Sequence, residues 1–180
     1  IYGDSALLDM FESYARKKAI VVVTQFNHPR ELTAEAKRAI DSLLTRGIQL
    51  RNQTVLLRGV NDKPEVLGEL LRGLTAMNVA PYYIFQCRPV TGVKGRFQVP
   101  IAEGIGIVDG AKAMQSGLGK AVRYAMSHPR GKIEMIGRLP DTDETIFKFH
   151  QNKYPEDNAR IFTRKLSEHD TWLDEELNPV

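Results

Sequence analysis

Ala80-Pro81-Tyr82-Tyr83-Ile84-Phe85-Gln86-Cys87-Arg88 reads as a β-strand that surfaces and delivers a cation. Tyr, Ile and Phe suit a pleated, half-buried backbone. Pro81 is tolerated where a strand begins, and residues 89–92 turn the chain away. Working outward, residues 48–57 form another strand and 58–62 a loop. Residues 64–77 then form a helix with Pro64 in its first turn, closed by Asn78. Further upstream, residues 19–26 are a near-continuous β-branched run, the pattern of a strand covered on both faces. Residues 27–30 break that run. Thr33 is placed to N-cap a helix with Glu35 in its first turn. Ala36, Ile40, Leu43 and Leu44 make its buried stripe, and Gly47 stops it. The repeated order of strand, loop and helix predicts an α/β fold with a parallel sheet.

The flanks extend this plan. Residues 4–18 carry Leu7, Leu8, Phe11, Tyr14 and Ala15 at helical spacing. A further helix spans about 101–114. Short strands at 121–126 and 132–136 bracket a turn at His128 to Gly131, and 145–150 alternates as an antiparallel edge or hairpin strand does. From 151 the chain is polar and reads as an irregular tail docked by Trp172. The expected divisions are 1–120, 121–150 and 151–180.

The 180 residues suffice for one sizeable core, with 42% apolar and 26% charged residues and a net charge of +3. Cations and anions are interspersed, so no stripe suited to nucleic acid stands out. No run is apolar enough to cross a membrane as a helix. One cysteine excludes internal disulfides and argues for a reducing, cytoplasmic setting.

Few residues declare chemistry on their own. Lys132 follows a glycine-containing turn and could bond covalently to an aldehyde if desolvated or crowded by cations, with Arg130 the nearby candidate; local sequence alone favours a solvated surface lysine at a strand start. Arg88 could clamp a carboxylate or phosphate, or join a surface ion pair. His28 and His128 each precede a proline and lack ligands at metal-binding spacing. Cys87 reads as a small buried hydrophobe. Walker and GxGxxG loops and a Ser/His/Asp order are absent.

Phe26-Asn27-His28-Pro29, Gly47-Ile48, Asn52-Gln53-Thr54-Val55-Leu56-Leu57-Arg58-Gly59-Val60-Asn61-Asp62 and Pro81-Tyr82-Tyr83-Ile84-Phe85-Gln86-Cys87 stand at characteristic spacings. With them the chain, from about 21 to 136, resembles the lysine 2,3-aminomutase family of radical S-adenosylmethionine, pyridoxal phosphate (PLP) enzymes. The resemblance implies the later half of a radical SAM partial (β/α) barrel with a C-terminal PLP-binding extension. It implies that an amino group moves from C2 to C3 of an amino acid, with a 4Fe–4S cluster splitting S-adenosylmethionine. Lys132 matches the family's PLP lysine, with two fewer residues in the preceding loop. Phe85 stands where the family has a tyrosine near the cofactor. Gln53 matches a glutamine near S-adenosylmethionine, and Gln25 replaces a histidine there.

Departures from the family pattern sharpen the expectation. The cluster motif CxxxCxxC is missing; with Ile1 as first residue, this predicts a C-terminal portion whose cluster ligands lie elsewhere. Arg88 and Ser127 replace the two aspartates that bind the substrate's distal ammonium, which predicts an acidic, glutamate-like substrate. Lys63 occupies the position of a zinc-binding cysteine in some relatives, so no structural metal is expected. The implied partners are a small amino acid and further copies of the chain. A non-catalytic α/β binding module is the alternative.

Overall fold

A computed structural model describes residues 1–180. Seven strands form one sheet in the order β1 to β7: β1 (Val21–Thr24), β2 (Gln49–Leu56), β3 (Ala80–Gln86), β4 (Arg123–His128), β5 (Gly131–Arg138), β6 (Glu144–Asn152) and β7 (Ile161–Lys165). The first four are parallel and the last four antiparallel, so β4 belongs to both halves. Helices fill the parallel crossovers: α1 (Ser5–Ala15) precedes the sheet, and α2 (Ala34–Leu44), α3 (Pro64–Ala76), α4 (Ile101–Ala113) and the short α5 (Gly117–Lys120) follow in turn. The α/β class is as expected.

The local signals act as their chemistry requires. The Thr33 hydroxyl accepts the Ala36 N–H at 3.2 Å and caps α2. Gly47, which ends that helix region, has φ +76°, a conformation with little cost only for glycine. Alternate residues of β2 (Leu50, Asn52, Thr54, Leu56) are buried. With Ile84, Tyr124 and Met126 they turn toward α2–α4, where Leu67, Leu70, Leu74 and Val108 complete one core. No helix lies across the opposite face of the sheet.

The asparagines of the diagnostic sequence blocks stitch together the ends of β1 and β2. Asn52 is 1% exposed. Its Oδ1 accepts from the Phe26 N–H (2.7 Å) and the Thr24 hydroxyl (2.8 Å), while its Nδ2 donates to the Phe26 carbonyl (3.0 Å). Asn61 is fully buried; it accepts from the Leu57 N–H (2.7 Å) and donates to the Asn27 and Val55 carbonyls (both 2.8 Å). These side chains replace ladder bonds where the strands diverge. Gln86 does the same for β3, donating to the Val99 (2.7 Å) and Thr171 (2.8 Å) carbonyls and accepting from the Tyr124 hydroxyl.

Three expectations are corrected. The polar tail from 151 is not simply irregular: β6 continues to Asn152, and β7 pairs with it through Phe147 and Phe162, whose rings stack at 5.2 Å. Polar residues at alternate positions mask that strand. Residues 19–26 shorten to β1, an edge strand whose Val21 and Val23 are exposed rather than covered on both faces. The strand expected at 121–126 lies two residues later, because the hairpin pairs His128 with Gly131. Trp172 docks as expected, 7% exposed, with the tail closed by a bridge between Leu173 and Pro179.

Candidate functional site

Strand register decides which side chains share the helix-free face. Gln53 pairs with Tyr83, Tyr83 with Arg123, Phe85 with Ala125, and Ser127 with Lys132. Paired residues point to one side, so Gln53, Tyr83, Phe85, Arg123, Ser127 and Lys132 all belong to this face. Gln25, exposed, is the residue after β1, whose last pair is Thr24 with Asn52. Four of the six expected site residues (Gln53, Phe85, Ser127 and Lys132) are thus placed on one face by register, with Gln25 at its edge, and Arg88 joins from the loop that follows β3.

Lys132 owes its position to the hairpin. Gly131, just before it, has φ +144°, and a Cβ there would meet the Gln151 carbonyl oxygen at 2.1 Å. Only glycine lets β4, β5 and β6 meet so closely. The Lys132 Nζ then reaches over the aromatic rings of β3, 4.7 Å from the Tyr83 centroid and 5.8 Å from that of Phe85. No carboxylate lies within ion-pair distance of it. Arg130 does not crowd it: that guanidinium binds the fully buried Asp157 at 2.7 Å, on the far side of the turn, where Asp157 also takes Arg160.

The aromatic floor is built by a β-bulge. Asn52 pairs with Pro81 but Gln53 pairs with Tyr83, so Tyr82 is an extra residue. Pro81 has no N–H to donate to β2, which explains the slip at this point. Tyr82 and Tyr83 therefore lie close, ring centroids 4.2 Å apart, and Tyr83 stacks on Phe85 at 5.0 Å. Arg51 sits over Tyr82 at 5.1 Å. Tyr83 is 1% exposed, yet its hydroxyl lacks a hydrogen-bond partner. Burial pushes that hydroxyl's pKa up to about 12.

Arg88 and Ser127 meet directly. The Arg88 Nη2 donates to the Ser127 Oγ at 2.7 Å and its Nε to the Ser127 carbonyl at 3.1 Å. They border a cleft of about 320 Å³ with Pro89, Val90, Pro129 and Trp172. Trp172 is held there through its neighbours. The His128 Nε2 donates to the Leu173 (3.2 Å) and Asp174 (3.0 Å) carbonyls, and its Nδ1 accepts the Arg130 N–H at 3.2 Å. Both ring nitrogens are thereby committed. His28 is likewise structural, its Nδ1 accepting the Arg30 N–H while Glu31 accepts from the Asn27 and His28 N–H groups.

Sequence reasoning missed Tyr83, Arg123 and His150. Alternation was the available signal: Arg123 stands four residues before Ser127, so the two share a face. An aromatic floor beneath an unpaired lysine, with a nearly buried orphan hydroxyl, fits a flat aldehyde-bearing cofactor such as PLP. The residues do not fit an iron–sulfur cluster, because the single cysteine, Cys87, is buried and three thiolates are needed.

No protein-family model matches the chain. Among curated proteins, it is 41% identical over 178 residues to an Aquifex aeolicus protein provisionally named L-lysine 2,3-aminomutase, covering 97% of this chain and 46% of the relative. It is 47% identical over 94 residues to the L-lysine 2,3-aminomutase of Fusobacterium nucleatum, covering 52% of this chain and 22% of that protein. It is 37% identical over 112 residues to the glutamate 2,3-aminomutase of Clostridioides difficile, covering 62% and 26%. The chain spans about half or less of the length of the curated relatives it matches.

Proposed function

Because the chain belongs to the lysine 2,3-aminomutase family, we propose that it supplies the PLP- and substrate-binding portion of a radical S-adenosylmethionine amino-acid 2,3-aminomutase. The observation that carries this reading is the unpaired Lys132 ammonium above Tyr83 and Phe85. PLP, when bound, supplies an electron-delocalising ring for the migration of the amino group. Lys132 would hold its aldehyde carbon, and Phe85 and Tyr83 would pack against its plane and exclude water. Gln53, with Gln25 at the edge, would face S-adenosylmethionine from β2 and β1. No step through the cluster is assigned to these residues.

The substrate is an acidic amino acid in this proposal. Two Arg88 donors hold Ser127, and the remaining N–H groups of the guanidinium are available to a distal carboxylate. At about 4 Å the attraction amounts to roughly 1 kcal/mol in water and about 4 at an effective dielectric of 20. The same charge repels a distal ammonium. Assay of the complete polypeptide containing these residues, with glutamate and lysine in parallel, tests this. Turnover of glutamate supports it; turnover of lysine alone contradicts it.

A further inference from the structure

We propose that Tyr83, Arg123 and His150 form an oxyanion-binding subsite beside Lys132. The three converge from β3, β4 and β6 on the helix-free face. Arg123 pairs with Tyr83 in register, and its Nη1 lies 3.0 Å from the His150 Nε2 and 3.3 Å from the Nδ1. The His150 ring meets Tyr83 edge-on at 5.9 Å. The Tyr83 hydroxyl is buried without a partner, a cost that a bound acceptor would remove.

Charge on this face favours an anion. Lys132 and Lys148 act on His150 as neighbouring charges, Arg51 sits over the adjoining Tyr82 ring at 5.1 Å, and the facing carboxylate is Glu134, whose Oε2 lies 3.7 Å from the Arg123 Nε. That contact is long, and no hydrogen bond joins the two side chains. Burial, and then the Arg123 charge, hold the His150 pKa below its ordinary value, so the ring is neutral at pH 7 and one nitrogen can donate to an oxyanion. Guanidinium, imidazole N–H and phenol O–H together match a phosphate or a carboxylate.

The inference rests on the proposed function for its choice of ligand; the site itself is read from these three side chains. Two anions could occupy it, the cofactor phosphate or the substrate α-carboxylate. The test uses the complete polypeptide and the absorbance of the lysine-bound cofactor. Affinities for pyridoxal phosphate and for pyridoxal give one ratio; those for an amino acid and its decarboxylated amine give the other. Ratios cancel any general loosening of the fold. Arg123→Gln should lower one ratio by about tenfold or more, and His150→Gln should lower the same one. Loss of the first ratio identifies phosphate and loss of the second the carboxylate. Both ratios unchanged in both variants overturn the proposal. If Lys132→Ala retains the cofactor absorbance, the assignment of Lys132 fails separately. Inorganic phosphate followed by phosphorus NMR then decides the subsite: broadening that Arg123→Gln abolishes supports it, and broadening that persists overturns it.

Discussion

The Lys132 ammonium lies 4.7 Å above the Tyr83 ring, joining the fifth strand of the sheet to the third across the fourth. Neither residue reaches the other by accident. The β4–β5 hairpin aims the lysine, and the bulge after Pro81 turns the tyrosine toward it. The consequences can be measured element by element.

Gly131→Ala should destabilise the protein by about 2–4 kcal/mol, through a strained positive φ and a clash with the Gln151 carbonyl. Gly92→Ala is the comparison. Its φ is +83° but its Cβ would meet nothing within 4 Å, so about 1 kcal/mol is expected. Urea unfolding of both variants checks this. Equal costs would show that the close approach of β5 and β6 does not constrain Lys132.

Asn61→Ala strips partners from the Leu57 N–H and from the Asn27 and Val55 carbonyls. A loss of about 3 kcal/mol follows from unpaired buried groups. Calorimetry should show a melting temperature lower by several degrees. A shift within error would mean that water takes over these bonds.

Stability should fall on acidification. Burial holds the His128 pKa below its usual 6.5, helped by the Arg130 charge and opposed by the Asp174 and Leu173 carbonyls. A depressed folded pKa means that the unfolded chain binds the proton more readily. The stabilisation is therefore complete above about pH 6.5 and is lost as pH falls toward the folded value. Protonated Nδ1 would face the Arg130 N–H it now accepts from. His150, also depressed, acts in the same direction. Urea midpoints between pH 5 and 8 should drop in acid, less steeply in His128→Gln. An unchanged slope in that variant would remove His128 from the explanation.

Arg88→Asp reverses the charge beside Ser127. The ratio of kcat/KM for glutamate over lysine should fall by roughly a hundredfold or more, about 2.7 kcal/mol. Competition assays on the complete polypeptide measure it. A ratio that does not move would place substrate choice elsewhere.

Much of this was legible in the sequence because periodicity and capping are local. Thr33, Gly47, Pro64 and Asn78 mark element ends through chemistry confined to a turn or two, and α2 and α3 follow. Ser127, Arg88, Phe85 and Lys132 were assigned to the site only through the resemblance to the aminomutase family, their residue types alone being ambiguous. What escaped depends on partners distant along the chain. The polar alternation of β7 becomes a strand only when Phe162 finds Phe147. Arg130 is drawn from Lys132 by Asp157, 27 residues away. Tyr82 and Tyr83 look like ordinary alternation until the register against β2 slips.

The most direct test is chemical. Reduce the PLP-loaded complete polypeptide with borohydride, digest it, and sequence the labelled peptide by mass spectrometry. The account predicts a pyridoxyl group on Lys132, lost in Lys132→Ala. Label on another lysine, with Lys132 unmodified, would contradict it.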